Sequence, residues 1–404
     1  MTRLLPSPAV IFATLALLLP PLGLYAPKAL VVVSALAALL LLPHRAARET
    51  FVADLRAPLA LVLAALLLWA AATTLWSPDP TRAIRLLFSV FAIVLGGALL
   101  LAGGRSVNDD GRRQLENALM GGGLLFLALA LVEGATSGAI LRGLRGEIAV
   151  EALSRGSAIL AILLPLYALV FQRRFGAMPG LAIAALGLVA LLLLPMFAAF
   201  IAGVFALLVA LAVRAAPRSA ARALAIGGAL LILLAPLLAN TLADPEMVKA
   251  ALPGLPTNFL PRFHIWSVAG ERILDRPLLG WGLDAARGLP GGDRMAGLQS
   301  VLPLHPHNAA LQVWVELGAI GAILATGVWL LVCRRLGRTG WTGVAPAAGA
   351  ASMAAWFAVA HLSYGIWQNW WLALPWVVAA LFTATVPRQN DAKLAKMQAP
   401  GDTP

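Results

Sequence analysis

The sequence predicts an all-α integral membrane protein with about twelve transmembrane helices. Of its 404 residues, 61% are hydrophobic and only 12% are charged, and the mean hydropathy is +0.87. Apolar runs of about 20 residues, long enough to cross a bilayer, recur along most of the chain. A soluble helical protein would need many more charged residues to cover its surface, so this class is excluded.

The apolar runs divide the chain into four regions. We predict helices 1 to 9 within 1–242, a large loop at 243–307, helices 10 to 12 within 308–387, and a polar, disordered tail at 388–404. The predicted spans are 6–25, 28–43, 57–76, 83–103, 117–135, 153–171, 177–194, 196–213, 222–242, 308–332, 342–363 and 368–387.

Basic residues predict the orientation of these helices. The net charge is +12, and most of the excess falls on alternate loops, which the positive-inside rule assigns to the cytoplasm. This places both termini inside and the large loop outside, in the periplasm of a Gram-negative cell. The charge is therefore explained by topology, and no nucleic-acid partner is expected. The residues that carry this signal include Arg45, Arg48, Arg105, Arg112, Arg113, Arg173, Arg174, Arg334 and Arg335.

The large loop contains a segment with helical periodicity. Pro261 marks its start, and Phe263, Trp266, Ile273 and Leu274 recur near helical spacing. We expect this helix to lie along the membrane interface with Trp266 at headgroup depth. Residues 288–300 are rich in glycine and predict a mobile flap.

The sequence offers little metal-binding chemistry. It has a single cysteine, Cys333, and neither a Cys/His cluster for zinc nor an Asp-rich set for magnesium. We expect no metal ion and no cofactor.

The polar stretch from 258 to 321 resembles the signature region of the O-antigen ligase and O-antigen polymerase superfamily. It contains Arg262 at the head of a helix, then Pro277-Leu-Leu-Gly280-Trp-Gly282, and then His307-Asn308 followed by Glu316, Gly318 and Gly321. In that superfamily these elements border the last large periplasmic loop. Many relatives also carry a Ser-Arg element near 196–205, where this chain has no charged residue.

Arg155 and Arg262 are the candidates for binding phosphate. A guanidinium stays charged and offers forked donors that fit phosphate oxygens. Arg155 opens the sixth predicted span at its outer end, where superfamily members often have a polar-Arg-Gly element. Either arginine could instead anchor its helix at the membrane surface.

His307 is the candidate catalytic residue, because an imidazole with a pKa near 6.5 can accept a proton from a sugar hydroxyl. Asn308 and Glu316 are candidate substrate-binding residues. Asn308 could equally cap the tenth span. Glu316 lies about two turns into that span, where a carboxylate is costly unless it is paired. Gly318 and Gly321 are expected to allow close helix packing.

The resemblance implies a metal-independent membrane glycosyltransferase of the GT-C type. It would transfer a glycan, with inversion, from undecaprenyl diphosphate to a lipid A-core acceptor in lipopolysaccharide biosynthesis, on the periplasmic side of the inner membrane. A polymerase of O-antigen or exopolysaccharide, with the same donor and another acceptor, remains an alternative. A lipid or sugar transporter is more distant, because the first nine spans hold almost no charge at mid-membrane depth and no pair of broken helices repeats.

Overall fold

The computed structural model describes residues 5–146, 150–251, 253–254, 260–289, 305–337, 340 and 343–386. Within these ranges the protein consists of α-helices with short 3-10 turns and contains no β-strand. The prediction of an all-α integral membrane protein is confirmed. The tail at 388–404 and most of the predicted flap at 288–300 lie outside the described residues.

Seventeen α-helices occur in the described part of the chain. They are α1 Pro8–Tyr25, α2 Ala29–Leu41, α3 Arg45–Asp54, α4 Pro58–Thr73, α5 Pro80–Gly104, α6 Asp109–Ala135, α7 Ala139–Arg145, α8 Ser154–Phe175, α9 Ala177–Leu193, α10 Phe197–Ala215, α11 Pro217–Leu233, α12 Ala235–Leu242, α13 Pro245–Ala251, α14 Leu260–Asp275, α15 Ala309–Leu336, α16 Ala345–Leu362 and α17 Asn369–Thr385.

Eight of these helices are long and apolar enough to cross a membrane, and the number rises to ten if each of two bent pairs counts as one span. The bent pairs are α2 with α3 and α11 with α12, while α9 and α17 are shorter apolar helices of 17 residues each. Each predicted span overlaps one α-helix, except 222–242, which covers parts of α11 and α12. The count of twelve stays a prediction.

Helix α8 lies at the centre of the main hydrophobic core, which it shares with α1, α6, α9, α10, α16 and α17. Residues from Ala158 to Leu163 are at most 1% exposed. Glycines bring the neighbouring helices close, since a Cβ at Gly187 of α9 would lie 2.2 Å from the Leu164 side chain. Such small residues allow helices to pack tightly where no water drives association.

The span predicted at 222–242 is bent. Helices α11 and α12 meet at an angle of 65°. Pro236 stands in the first turn of α12, where proline lacks the N–H that a continuous helix would use. The segment 222–242, which we predicted as one span, thus consists of parts of two helices that meet at this angle.

Helix α14 fulfils the expectation of a helix in the large loop, but its buried stripe differs from the predicted one. Ile265, Ala269 and Ile273 are buried and pack with residues of α12 and α15, whereas Leu274 is 65% exposed. The spacing of four residues places the buried three on one face. As a result, α14 is held against α12 and the N-terminal part of α15.

Candidate functional site

The segment His305-Pro306-His307-Asn308 leads directly into α15. The Asn308 side chain accepts a hydrogen bond from the Leu311 amide at 3.1 Å and so caps the helix. The indole N–H of Trp266 donates to the Pro306 carbonyl at 3.0 Å, which ties the segment to α14. His307 adopts a left-handed backbone with φ +54°. A non-glycine residue in that region is strained, and such residues often occur at functional sites.

His307 is oriented by the turn between α16 and α17. Its Nδ1 lies 2.6 Å from the Ser363 carbonyl oxygen. A carbonyl can only accept, so Nδ1 carries the proton and Nε2 presents its lone pair. Burial lowers the pKa of His307, Arg262 lowers it further, and the bond to Ser363 acts in the opposite direction. The ring is therefore neutral at pH 7 and able to accept a proton.

His305 lies next to His307, with ring centroids 4.3 Å apart, but its nitrogens already face protein groups. Its Nδ1 lies 3.2 Å from the His307 amide nitrogen, and its Nε2 lies 3.1 Å from the Gln368 amide nitrogen. Burial, together with the electrostatic effects of His307 and Arg287, lowers the pKa of His305 to about 3. His305 therefore supports the segment as a neutral side chain.

Arg262 and Arg155 approach the same turn from two helices. Arg262, in the first turn of α14, donates from Nη1 to the Leu362 carbonyl at 2.7 Å. Arg155, the second residue of α8, has a buried Nε with no hydrogen-bond partner among the described residues. Both guanidinium groups act electrostatically on the Tyr364 hydroxyl. The structure thus brings together three of the predicted residues, and we call Arg155, Arg262 and His307 the arginine–histidine site.

Glu316 belongs to a second polar cluster, deeper along α15, formed with Gln312, Asp284 and Trp367 (the Glu316 cluster). Its carboxylate accepts from the Trp367 indole at 2.6 Å, the Asp284 amide at 2.7 Å and the Gln312 amide at 3.0 Å. Glu316 is 0% exposed. This placement favours a positioning role over the predicted contact with substrate.

The glycine signature forms one interlocking backbone structure. At Gly318, φ is +64° and α15 is broken. The amides of Trp281 and Gly282 donate to the Val315 and Glu316 carbonyls, at 2.8 and 2.9 Å. A Cβ at Gly318 would lie 2.2 Å from the Leu278 carbonyl oxygen. Gly318 therefore admits the 277–282 turn into the helix, which is a different role from the helix packing that we predicted.

Asp284 joins this turn to α5. Its carboxylate binds Arg82 at 2.6 Å and Arg287 at 3.0 Å. The Ser77 hydroxyl donates to the Leu283 carbonyl at 2.8 Å, which holds the turn against the connection between α4 and α5. The N-terminal part of α15 is thus fixed from two sides.

Within the described residues, no group of three or more His, Cys, Asp or Glu side chains could hold a metal ion. The expectation of metal-independent chemistry remains a prediction.

Known proteins match this chain across the residues of the site. Residues 148–326 match the O-antigen ligase family. A relative from Rickettsia conorii, which carries the provisional name polysaccharide ligase, is 27% identical over 329 aligned residues, covering 74% of this chain and 78% of the relative. A relative from Rickettsia felis with the same provisional name is 24% identical over 314 residues, covering 76% of this chain and 75% of the relative. This chain is thus similar to the O-antigen ligase family over residues 148–326, and to proteins provisionally named polysaccharide ligases over about three quarters of its length.

The part that matches the O-antigen ligase family contains all five predicted site residues and the glycine turn. It ends at residue 326, before the turn at 363–368. Sequence reasoning missed the role of this turn, which provides the partners of His307, His305 and Glu316. The sequence did indicate that this turn could lie near His307, because the predicted spans 342–363 and 368–387 place their short connection on the same side of the membrane as His307.

The similarity to the O-antigen ligase family and to the polysaccharide ligases, together with the long apolar helices, supports a glycan-transferring activity in a multi-pass membrane protein.

Proposed function

We propose that this protein is an inverting, metal-independent glycosyltransferase that transfers O-antigen from undecaprenyl diphosphate to a lipid A-core acceptor in lipopolysaccharide biosynthesis. The observation that carries this proposal is the arginine–histidine site, in which two arginines and a neutral histidine approach one turn. An apolar cavity begins near this turn, since Ala309 and Ile366 are part of its lining. The two arginines can bind a diphosphate, and the histidine can accept a proton from a hydroxyl group. The cavity can hold the lipid chain of the donor.

The cavity has a volume of about 460 Å³ and lies among α4, α5, α15, α16 and α17. Its outer end includes Ala309 and Ile366, which adjoin the arginine–histidine site, and its inner end includes Arg105 and Arg335. Leucine, valine, alanine and tryptophan side chains form most of the wall. An apolar wall can receive a lipid chain from the bilayer without burying polar groups, which supports a polyprenyl-linked donor.

In the proposed reaction, Arg155 and Arg262 hold the diphosphate and neutralise the charge that develops on it. The Nε2 of His307 takes the proton from the acceptor hydroxyl. The hydroxyl oxygen forms a bond to the anomeric carbon while the bond from that carbon to the diphosphate oxygen breaks. Because attack and departure occur on opposite faces, the anomeric configuration inverts, and undecaprenyl diphosphate leaves.

Asn308 and Glu316 support this arrangement without needing to touch the donor. Asn308 fixes the start of α15 immediately after His307. Two turns further along α15, Glu316 accepts hydrogen bonds from the Asp284 amide and the Trp367 indole. We therefore assign both residues to positioning of the arginine–histidine site.

The location follows from the charge distribution. We propose that both termini lie in the cytoplasm and that 243–307 lies in the periplasm, so that the reaction occurs at the outer surface of the inner membrane. Reporter fusions at Pro290 and after the C-terminus should report opposite sides. Reporters on the same side would contradict both the topology and the site assignment.

The activity is tested with purified full-length protein, an undecaprenyl-diphosphate-linked glycan and a lipid A-core acceptor. Glycan on the acceptor, with release of undecaprenyl diphosphate, is the expected result. Complementation of ligase-null and polymerase-null strains then separates the two acceptors. Rescue of only the polymerase-null strain would reassign the protein as a polymerase.

A further inference from the structure

Tyr364 occupies a central place beside the arginine–histidine site. It follows Leu362 and Ser363, whose carbonyl oxygens orient Arg262 and His307. Its ring packs edge-on against Trp370, with the ring centroids 4.9 Å apart. It also packs in a tilted arrangement against Trp371, with the centroids 5.4 Å apart. Two tryptophans therefore fix the direction of the phenol.

The Tyr364 hydroxyl has only a weak partner among the described residues. It donates to the sulfur of Met196 at 3.5 Å, and a thioether is a poor acceptor. Tyr364 is half-buried rather than fully enclosed. A better acceptor that enters the site could take this hydrogen bond at little cost.

The surrounding charges indicate the nature of that acceptor. Arg155 and Arg262 both act electrostatically on Tyr364, yet burial raises the pKa of its hydroxyl. The phenol thus stays protonated and is a donor at neutral pH. A ligand that satisfies two guanidinium groups and a hydroxyl donor together must be an anion with several oxygens.

We propose that the Tyr364 hydroxyl donates a hydrogen bond to a phosphate oxygen of the lipid diphosphate, as a third binding residue beside Arg155 and Arg262. This inference rests on the proposed function, because it places the donor diphosphate at the arginine–histidine site. It also provides a third phosphate contact in a chain without the Ser-Arg element near 196–205.

The contact would strengthen during the reaction. As the glycosidic bond breaks, negative charge accumulates on the departing diphosphate, and a fixed donor stabilises that charge more than it stabilises the bound substrate. Loss of the hydroxyl should therefore reduce kcat as well as donor affinity.

Tyr364→Phe tests the proposal, because it keeps the ring against both tryptophans and removes only the hydroxyl. A hydrogen bond to a charged group contributes roughly 1.5 to 3 kcal/mol, so kcat/KM for the lipid-diphosphate donor should fall about 10- to 100-fold. The KM for the acceptor and the unfolding temperature in detergent should stay unchanged. Tyr167→Phe, in the buried core of α8, is the matched control and should keep normal kinetics.

Met196→Leu separates this role from a structural one. If the hydroxyl served only to hold Met196, this variant would lose donor kinetics to the same extent as Tyr364→Phe, and the proposal would be overturned. Normal kinetics in Tyr364→Phe would also overturn it.

Direct binding of undecaprenyl diphosphate distinguishes failure of this inference from failure of the proposed function. If the wild-type protein binds this lipid but transfers no glycan, the proposed activity fails, and weaker binding by Tyr364→Phe still supports the contact. Equal binding by the two proteins contradicts the contact alone. If the wild-type protein does not bind the lipid, both proposals fall.

Discussion

Two polar clusters lie in the N-terminal part of α15, and they differ in how far protein groups satisfy their hydrogen bonds. In the Glu316 cluster, each carboxylate oxygen accepts a hydrogen bond from a protein donor, and Glu316 is completely buried. In the arginine–histidine site, the Arg155 Nε has no partner among the described residues and the His307 Nε2 presents a free lone pair. A satisfied cluster maintains shape, whereas an unsatisfied one has capacity left for a ligand.

This comparison predicts that changes in the arginine–histidine site reduce catalysis, while changes around the Glu316 cluster reduce stability first.

His307→Ala should lower the turnover rate by about 10² to 10⁴, the typical contribution of a general base. Binding of the lipid-linked donor should persist, because in the proposed reaction the arginines hold its diphosphate. His305→Ala is the matched control and should lose far less activity, since His305 only supports the segment. Near-normal turnover in His307→Ala would reduce this residue to a structural role.

Arg262→Lys should reduce kcat/KM for the donor by about 10- to 100-fold with normal membrane levels, because lysine keeps the charge but loses the forked donors. Arg276→Lys provides the control. Arg276 is exposed and stacks over Trp281 at 4.3 Å, so its replacement should be nearly silent. Equal losses in the two variants would indicate a general effect of surface charge.

Gly318→Ala should lower stability, because the left-handed backbone alone costs an alanine of the order of 1 to 3 kcal/mol and its Cβ would strike the Leu278 carbonyl. A lower unfolding temperature in detergent is the expected readout. Gly121→Ala in α6, where nothing lies within 4 Å of the added Cβ, should be neutral or slightly stabilising. An unchanged unfolding temperature in Gly318→Ala would show that the turn does not depend on this glycine.

The smallest expected effect is a shift in the pH profile. Burial and Arg262 lower the pKa of His307, and the neutral ring is the active form in the proposed reaction. Activity should therefore stay constant from pH 7 down to about 6.5, the ordinary pKa of histidine, and should fall only at lower pH. In Arg262→Gln the pKa of His307 should rise, so the acid limb of the residual activity should move to higher pH. An acid limb that stays at the same pH would show that Arg262 does not lower the pKa of His307.

The sequence predicted the parts of this structure that depend on residue type. Apolar periodicity located the helices, and the signature around Arg262 and His307 indicated two residues that the structure brings to the same turn. The helix at Pro261 was also predictable, although the burial of its faces was not, because that depends on where α12 and α15 lie.

Other parts could not be predicted because their partners are backbone groups. The Leu362 and Ser363 carbonyls that orient Arg262 and His307 carry no residue-type signal, and they lie 100 and 56 residues away along the chain. The role of Gly318 was hidden for the same reason, since its neighbour is the Leu278 carbonyl oxygen. Tyr364 could be recognised only once the turn was seen beside the two arginines.

The bond between His307 and the Ser363 carbonyl has a consequence for the end of the catalytic cycle. A carboxylate partner would hold the imidazole in its protonated form, whereas an uncharged carbonyl gives that form much less support. Arg262 disfavours it further. In the proposed reaction, His307 would therefore give up its newly acquired proton readily, to water or to the departing diphosphate. The base would regenerate itself between turnovers, and no second acid–base residue would be needed to return it to its starting state.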